Sequence, residues 1–193
     1  MQAERNQLEK VVVAFTGWEE GDHILELGCG NGQHAKLLHD MGFAVTAVDH
    51  SDVGIDAAKA RHEGPNFVQA DVREFEPEEE PDGIYIRGMS FYHYELAGIN
   101  RHGIDVLEET KRMFEWLRSG SIFVMQIASN FSGDRPEDWI HHNKLSDYVG
   151  LFSQCGEVVS TTDWNGRALT SDADAKKFGG GTRSGIVIMT RKR

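Results

Sequence analysis

The order of apolar segments along the chain constrains its fold more than any other feature. Seven short runs rich in Val and Ile have the length and composition of strands, and they cover residues 23–28, 44–49, 66–70, 83–87, 121–127, 157–161 and 185–190. Helical spacing of apolar residues lies between most of them, over residues 33–41, 52–62, 103–118 and 143–152. Strands that alternate with helices form parallel sheets with helices on both faces.

The last two strands break this alternation, because the sequence shows no clear helical pattern between them. We therefore expect an α/β fold with a doubly wound, mostly parallel seven-stranded sheet that ends in an antiparallel hairpin. The length of 193 residues fits a single domain, residues 1–193. Residues 165–184 are polar and carry three glycines at 179–181, so we predict a flexible lid loop there, with an ordinary solvated loop as the alternative.

Charge and cysteine content exclude several classes of function. The formal net charge of -11 disfavours binding to nucleic acid or to an anionic membrane surface. Neither Cys29 nor Cys155 belongs to a C-x-x-C pair, so a disulfide framework or a zinc site has no support. The apolar patch near the amino terminus is too short for a signal peptide or a membrane span. We expect a cytoplasmic protein with a small-molecule substrate, and the sequence leaves its oligomeric state open.

A glycine-rich turn follows the first predicted strand in "HILELGCGNGQ", with glycines at 28, 30 and 32. Such a turn between a strand and a helix typically holds a polar ligand against backbone N–H groups. A dinucleotide fingerprint would need a third glycine where Gln33 stands. No Gly-Lys-Ser or Gly-Lys-Thr follows, which excludes a phosphate loop.

The pattern Glu26-x-Gly28-x-Gly30-x-Gly32 resembles the first motif of class I S-adenosylmethionine-dependent methyltransferases. The resemblance implies a Rossmann-like fold and S-adenosyl-L-methionine as cofactor. The bare backbone of the turn, which includes Cys29, would lie against the methionine portion, and Glu26 would complement its ammonium group.

Later strand ends extend the resemblance. Asp49 ends the second strand, where the family places an acidic residue for the two ribose hydroxyls, and Asp71 follows the third, near the exocyclic amine of adenine. Taken singly, either aspartate could instead cap a helix. The other cofactor-binding residues that the resemblance implies are His50 and Ser51 beside the adenine, Val72 through its backbone, and Arg87 at the exit of the fourth strand.

The acceptor is expected beyond the fourth and fifth strands, opposite the methyl group. The segment "RGMSFYHYELAG" resembles the G-N-S-F stretch of glycine N-methyltransferase-like enzymes, with Met89 in place of Asn. A second segment, 128–143, concentrates polar and aromatic residues after the fifth strand. The predicted substrate-binding residues are Met89, Tyr92, Arg135, Trp139 and His141.

A methyl acceptor that carries a proton needs a base, and we predict His93 for this role, with Tyr94 and His142 shaping the pocket. His141 or His142 could replace His93. No metal is predicted, since His141 and His142 are adjacent and point their side chains apart.

The sequence thus predicts methyl transfer to a nitrogen or oxygen of a small molecule. Two alternatives stay open: a peptide or protein side-chain methyltransferase, and a non-catalytic cofactor-binding subunit that activates a partner.

Overall fold

The computed structural model describes residues 2–130, 143–178 and 183–193, and their strands form one seven-stranded sheet. The strand order is β3-β2-β1-β4-β5-β7-β6. The strands are β1 (His23–Leu27), β2 (Ala44–Asp49), β3 (Asn66–Gln69), β4 (Gly83–Arg87), β5 (Ile122–Asn130), β6 (Glu157–Asp163) and β7 (Arg183–Arg191).

The first five strands are parallel, and β7 runs antiparallel to both of its neighbours. β1 pairs with β2 and β4, with Glu26 opposite Ala47 on one side and Tyr85 on the other. β7 lies between β5 and β6 and pairs with β5 from Ile122 to Asn130. The predicted sheet is therefore confirmed, and the carboxyl ends of β1 to β5 meet at one edge, where open α/β sheets bind their ligands.

Helices cover both faces of the sheet, as predicted. The helices are α1 (Gln2–Leu8), α2 (Ala14–Thr16), α3 (Gln33–His39), α4 (Asp52–Arg61), α5 (Phe91–Tyr94), α6 (Val106–Glu115), α7 (Leu145–Phe152) and α8 (Asp172–Phe178). A π-helical turn over Glu9–Val13 joins α1 to α2, and a 3-10 turn over Glu95–Ala97 follows α5. Apolar residues of α1, α3 and α4 share one core, and those of α5, α6 and α7 share the other.

Part of the predicted lid is regular structure. The expectation of a loop throughout 165–184 is wrong for α8, which begins where Ser171 Oγ accepts a hydrogen bond from the Asp174 N–H at 3.1 Å. Leu169 and Ala175 are buried in the core, so apolar packing holds this part of the segment. Residues 179–182 lie outside the described residues.

Within the described ranges, no helix has both the length and the apolar character needed to cross a membrane.

Candidate functional site

A cavity of about 360 Å³ lies at the carboxyl edge of the sheet. Its walls come from the residues that follow β1, β2, β3 and β4 and from the loop before α6. The lining residues are Gly28, Val48, Asp49, His50, Ala70, Asp71, Val72, Arg73, Gly88, Met89, Ser90, Phe91, His102 and Ile104. The cavity thus brings together six of the predicted site residues: Gly28, Asp49, His50, Asp71, Val72 and Met89.

The glycine turn forms the start of this wall. Gly28 has a left-handed φ of 74°, and its N–H donates to the Val48 carbonyl at 2.8 Å, which ties the turn to β2. Gly32 has a φ of 75°, and a Cβ there would lie 2.5 Å from the Phe67 ring and 2.9 Å from Ala58. Gly30 and Gly32 do not line the cavity. Their conformations seat α3 against its neighbours, while the bare Gly28 backbone leaves room for a ligand.

Asp49 connects the turn to the cavity. Its Oδ2 accepts a hydrogen bond from the Gly30 N–H at 2.8 Å and its Oδ1 accepts one from the Ser51 N–H at 2.9 Å. The side chain is 11% exposed and faces the cavity. Each carboxylate oxygen has a second lone pair, so the group retains acceptor capacity for a pair of ligand hydroxyls.

The residues that follow Asp49 have different roles. His50 is 82% exposed on its side chain and lies at the cavity wall. Ser51 does not line the cavity but caps α4, where its Oγ accepts the Gly54 N–H at 3.1 Å, and its place beside an adenine stays a prediction. A serine before a helix typically has this role.

Asp71 shares the cavity with a residue that sequence reasoning missed. Its Oδ1 accepts hydrogen bonds from the N–H of Arg73 at 3.0 Å and from Arg73 Nε at 2.9 Å, and its Oδ2 pairs with the terminal nitrogen of the same guanidinium. These bonds lower the pKa of Asp71 from 3.8 to about 2. The D-x-R spacing could have predicted this pair, because the guanidinium of an arginine two residues after an aspartate can reach its carboxylate with two N–H groups.

Glu26 and Cys29 are buried behind the turn. Glu26 is 2% exposed, and its Oε2 has no hydrogen-bond partner among the described residues. Burial raises the pKa of Glu26 to about 8, against the smaller opposing effects of a backbone hydrogen bond from Ala35 and the charge of Arg87. Burial also raises the pKa of the Cys29 thiol far above its usual range, and Glu26 and Asp49 add to this rise. The thiol is therefore not an activated nucleophile.

The loop before α6 closes the cavity from the opposite side. Ser90 Oγ lies 3.1 Å from His102 Nε2, and Glu95 Oε1 accepts the backbone N–H groups of Arg101, at 3.0 Å, and His102. Ile104 adds an apolar contact to the wall. Sequence reasoning missed His102 and Ile104, because only the tertiary fold brings this loop to the ends of β2 and β3. It also missed Ser90, although Ser90 directly follows the predicted Met89 at the exit of β4.

Phe91, the first residue of α5, lines the cavity, but the other three residues of the helix, Tyr92, His93 and Tyr94, do not. Tyr92, which we predict to contact the acceptor, is fully buried in this structure, and its hydroxyl lies 3.0 Å from Thr110 Oγ1. His93 is 3% exposed, and its carbonyl accepts a hydrogen bond from Asn143 Nδ2 at 3.0 Å. Tyr94 faces the neighbouring loop, where the guanidinium carbon of Arg101 lies 4.5 Å from its ring centroid.

Arg87 is not among the residues that line the cavity, and its side chain lies on the sheet face that α1 and α3 cover. Its Nη1 contacts the His34 ring, and its guanidinium carbon lies 5.5 Å from the centroid of the Trp164 ring. Burial, and then the charge of Arg87, lower the pKa of His34 to about 4. The imidazole is therefore neutral near pH 7 and accepts a hydrogen bond from Arg87.

Four predicted residues, Arg135, Trp139, His141 and His142, lie outside the described residues, so the structure places none of them. Among the residues that are described, no group of three or more His, Cys, Asp or Glu side chains could hold a metal ion.

The chain resembles known proteins in sequence and in fold. The sequence profile of a family described as "Methyltransferase domain" matches residues 24–113. Trans-aconitate 2-methyltransferase from Escherichia coli O157:H7 is 33% identical over 136 residues, which are 65% of this chain and 53% of that protein. The chain thus spans about half the length of the curated relatives that it matches.

Two solved structures share the fold at low sequence identity. Geranyl diphosphate C-methyltransferase from Streptomyces coelicolor A3(2) has a TM-score of 0.71 at 15% identity, over 100% of this chain and 80% of that chain. The [4+2]-cyclase SpnF has a TM-score of 0.70 at 15% identity, over 99% of this chain and 82% of that chain. The matched profile, the glycine turn at the end of β1 and the sheet order all resemble those of the class I S-adenosylmethionine-dependent methyltransferase superfamily.

Proposed function

We propose that the chain binds S-adenosyl-L-methionine at the carboxyl edge of the sheet and transfers its methyl group to a nitrogen or oxygen of a small molecule. The observation that carries the proposal is the cavity lined by Gly28, Asp49, Asp71 and Met89, which lie at the carboxyl ends of four adjacent strands. When bound, the cofactor supplies an electrophilic methyl group on a sulfonium centre.

The residues present fit this cofactor. A Cβ at Gly28 would lie 3.4 Å from Met89 Cε, so glycine keeps the space between these residues open. Asp49 offers carboxylate oxygens to ribose hydroxyls, and Asp71, after β3 in the same cavity, offers a carboxylate to a purine amine. The unpartnered, buried oxygen of Glu26 suits an ammonium group, which would satisfy it.

A carboxylate oxygen is the first acceptor to test. The trans-aconitate 2-methyltransferases among the relatives are named for a carboxylic acid. A carboxylate has no proton to lose before it attacks, so its methylation needs alignment rather than a base. This agrees with the burial of His93, the residue predicted as the base. A lone pair of the oxygen forms the new C–O bond, the methyl–sulfur bond breaks, and its electron pair stays on sulfur.

Calorimetric titration with S-adenosylmethionine, its demethylated product and NAD tests the binding step. We expect both sulfur ligands to bind and NAD not to bind. Asp49→Asn should weaken cofactor binding tenfold or more, since hydrogen bonds to a charged group contribute about 1.5–3 kcal/mol. Asp52→Asn is the matched control, because Asp52 is an exposed neighbour on α4 that does not line the cavity.

A screen by mass spectrometry tests the transfer step with a panel of carboxylic acids, amines and peptides. We expect a methyl ester or N-methyl product of a small molecule only when protein and cofactor are both present. Methylation confined to peptides would favour the side-chain methyltransferase alternative. Cofactor binding with no product from any class, together with stimulation of a partner enzyme, would favour the non-catalytic subunit. Tight NAD binding without a response to S-adenosylmethionine would refute the proposal.

A further inference from the structure

We propose that Arg87 and His34 form a carboxylate-binding site in which Glu4 of the N-terminal helix lies as an internal ligand, and that the carboxylate of a bound small molecule displaces Glu4. The inference rests on the proposed function: it adds a subsite for a ligand carboxylate and names Glu4 as the group that competes for it.

Arg87 is placed to receive an anion at the edge of the sheet. It ends β4, directly before Gly88 and Met89 of the cavity wall, and its side chain is 30% exposed. The Trp164 ring lies under the guanidinium, and the neutral His34 imidazole accepts a hydrogen bond from Nη1. The aromatic and imidazole contacts orient the planar guanidinium without neutralising its charge.

Glu4 supplies a carboxylate to this site. Its Oε1 lies 3.9 Å from Arg87 Nη1, and its Oε2 accepts a hydrogen bond from the Gln33 side chain at the start of α3. The distance to Arg87 is at the outer limit of an ion pair, and the Glu4 side chain is 35% exposed. Exposed pairs of this kind are weak, so a better-placed carboxylate could displace Glu4 from Arg87.

The N-terminal helical segment is held in place mainly beyond Glu4. Leu8, Val11 and Val12 are buried against the sheet, and the Gln7 side chain contacts the Trp164 carbonyl. Gln2 and Ala3, on the other side of Glu4, are exposed. The Glu4 side chain can therefore leave Arg87 while the rest of the segment keeps its packing.

The groups around the site suit a carboxylate that has an ammonium group beside it. Arg87 and the buried Glu26 interact electrostatically. An ammonium group at Glu26 and a carboxylate at Arg87 would together match an amino-acid end, as in the cofactor. A carboxylate on the acceptor is the other source of the same chemistry, and the experiment must separate the two.

The test compares ligands that differ only in the carboxylate, in the wild type and in Glu4→Gln. The ligands are S-adenosylmethionine and its decarboxylated analogue, titrated calorimetrically. If the site receives the cofactor, Glu4→Gln should tighten S-adenosylmethionine binding by about three- to fivefold, the order expected for an exposed ion pair, and leave the analogue unchanged. Arg87→Gln should weaken S-adenosylmethionine but not the analogue, and Arg87→Lys should restore only part of the loss.

If the site receives the acceptor, the cofactor affinities should stay constant and the KM of a carboxylic acid acceptor should change in the same directions. Glu9→Gln is the matched control: Glu9 follows α1 directly, is exposed, and pairs with Arg5 at 2.9 Å instead of with Arg87. Thermal unfolding checks that every variant is folded.

Two results would overturn the inference. In one, folded Glu4→Gln and Arg87→Gln proteins match the wild type in both cofactor affinity and acceptor KM. In the other, Glu9→Gln reproduces the effect of Glu4→Gln, which would show that only net charge matters. Either result leaves the proposed function intact, because Asp49→Asn tests cofactor binding independently.

Discussion

Substituting Glu26 should change how the stability of the ligand-free protein depends on pH. Its carboxyl is 2% exposed, and burial raises its pKa from 4.5 to about 8. Between these two values the folded chain holds a proton that the unfolded chain has lost. Stability therefore falls as the pH rises through this window, by about 1.4 kcal/mol per pH unit at most. From pH 5.5 to pH 7.5 the loss is about 3 kcal/mol.

Glu26→Gln removes this loss, because an amide stays neutral throughout the window. Urea unfolding of the ligand-free protein, followed by tryptophan fluorescence at pH steps between 5.5 and 7.5, measures it. We expect the wild type to lose about 3 kcal/mol relative to Glu26→Gln across this range. Glu63→Gln is the control, because Glu63 is exposed and its substitution removes the same charge. If the free energy of unfolding changed with pH in the same way in the wild type and in Glu26→Gln, the argument that Glu26 is protonated in the folded protein would be refuted.

Two further substitutions test the walls of the site. Gly32→Ala should destabilise the fold by about 2 kcal/mol or more in urea unfolding, because alanine is strained at this left-handed φ and its Cβ would meet Phe67. Gly120→Ala is the control for the backbone strain alone, because Gly120 has a φ of 87° and open space around it. An equal loss of stability in both variants would contradict the argument that the Cβ meets Phe67. Arg73→Ala should move the pKa of Asp71 up from about 2 toward 3.8 in an NMR titration of the side-chain carboxyl; an unchanged pKa would show that the Arg73 guanidinium does not hold the Asp71 carboxylate.

The sequence predicted the strands well because buried parallel strands need continuous apolar runs. The runs at 44–49 and 83–87 coincide with β2 and β4, and the alternation of strands with helices predicted a mostly parallel sheet. α1 was missed because its first residues are polar, and its buried stripe begins only at Leu8. α8 was also missed, although Ser171 followed by Asp172 and Asp174 is a helix-start pattern.

The site was predictable where chemistry depends on a strand end and not where it depends on a distant loop. Asp49 ends β2 and Asp71 comes two residues after β3, so a parallel sheet brings both to the same edge. His102 reaches the cavity only through the path of the loop between α5 and α6. The position of the Tyr92 ring could not be predicted, because a tyrosine shortly after a strand gives no sign of whether its ring enters the core or the pocket.

The position of β7 affects how the chain folds during synthesis. β6 precedes β7 in sequence, yet it pairs only with β7 among the sheet strands, so β6 has no neighbouring strand until residues 183–191 have left the ribosome. Until then β5 presents a long unpaired edge of alternating backbone donors and acceptors, the kind of template that favours association between nascent chains. At about 5–20 residues per second, the roughly 60 residues from the end of β5 to the end of β7 keep that edge open for several seconds. A chaperone that binds extended apolar segments should therefore bind this chain most strongly late in translation, and release it when β7 inserts.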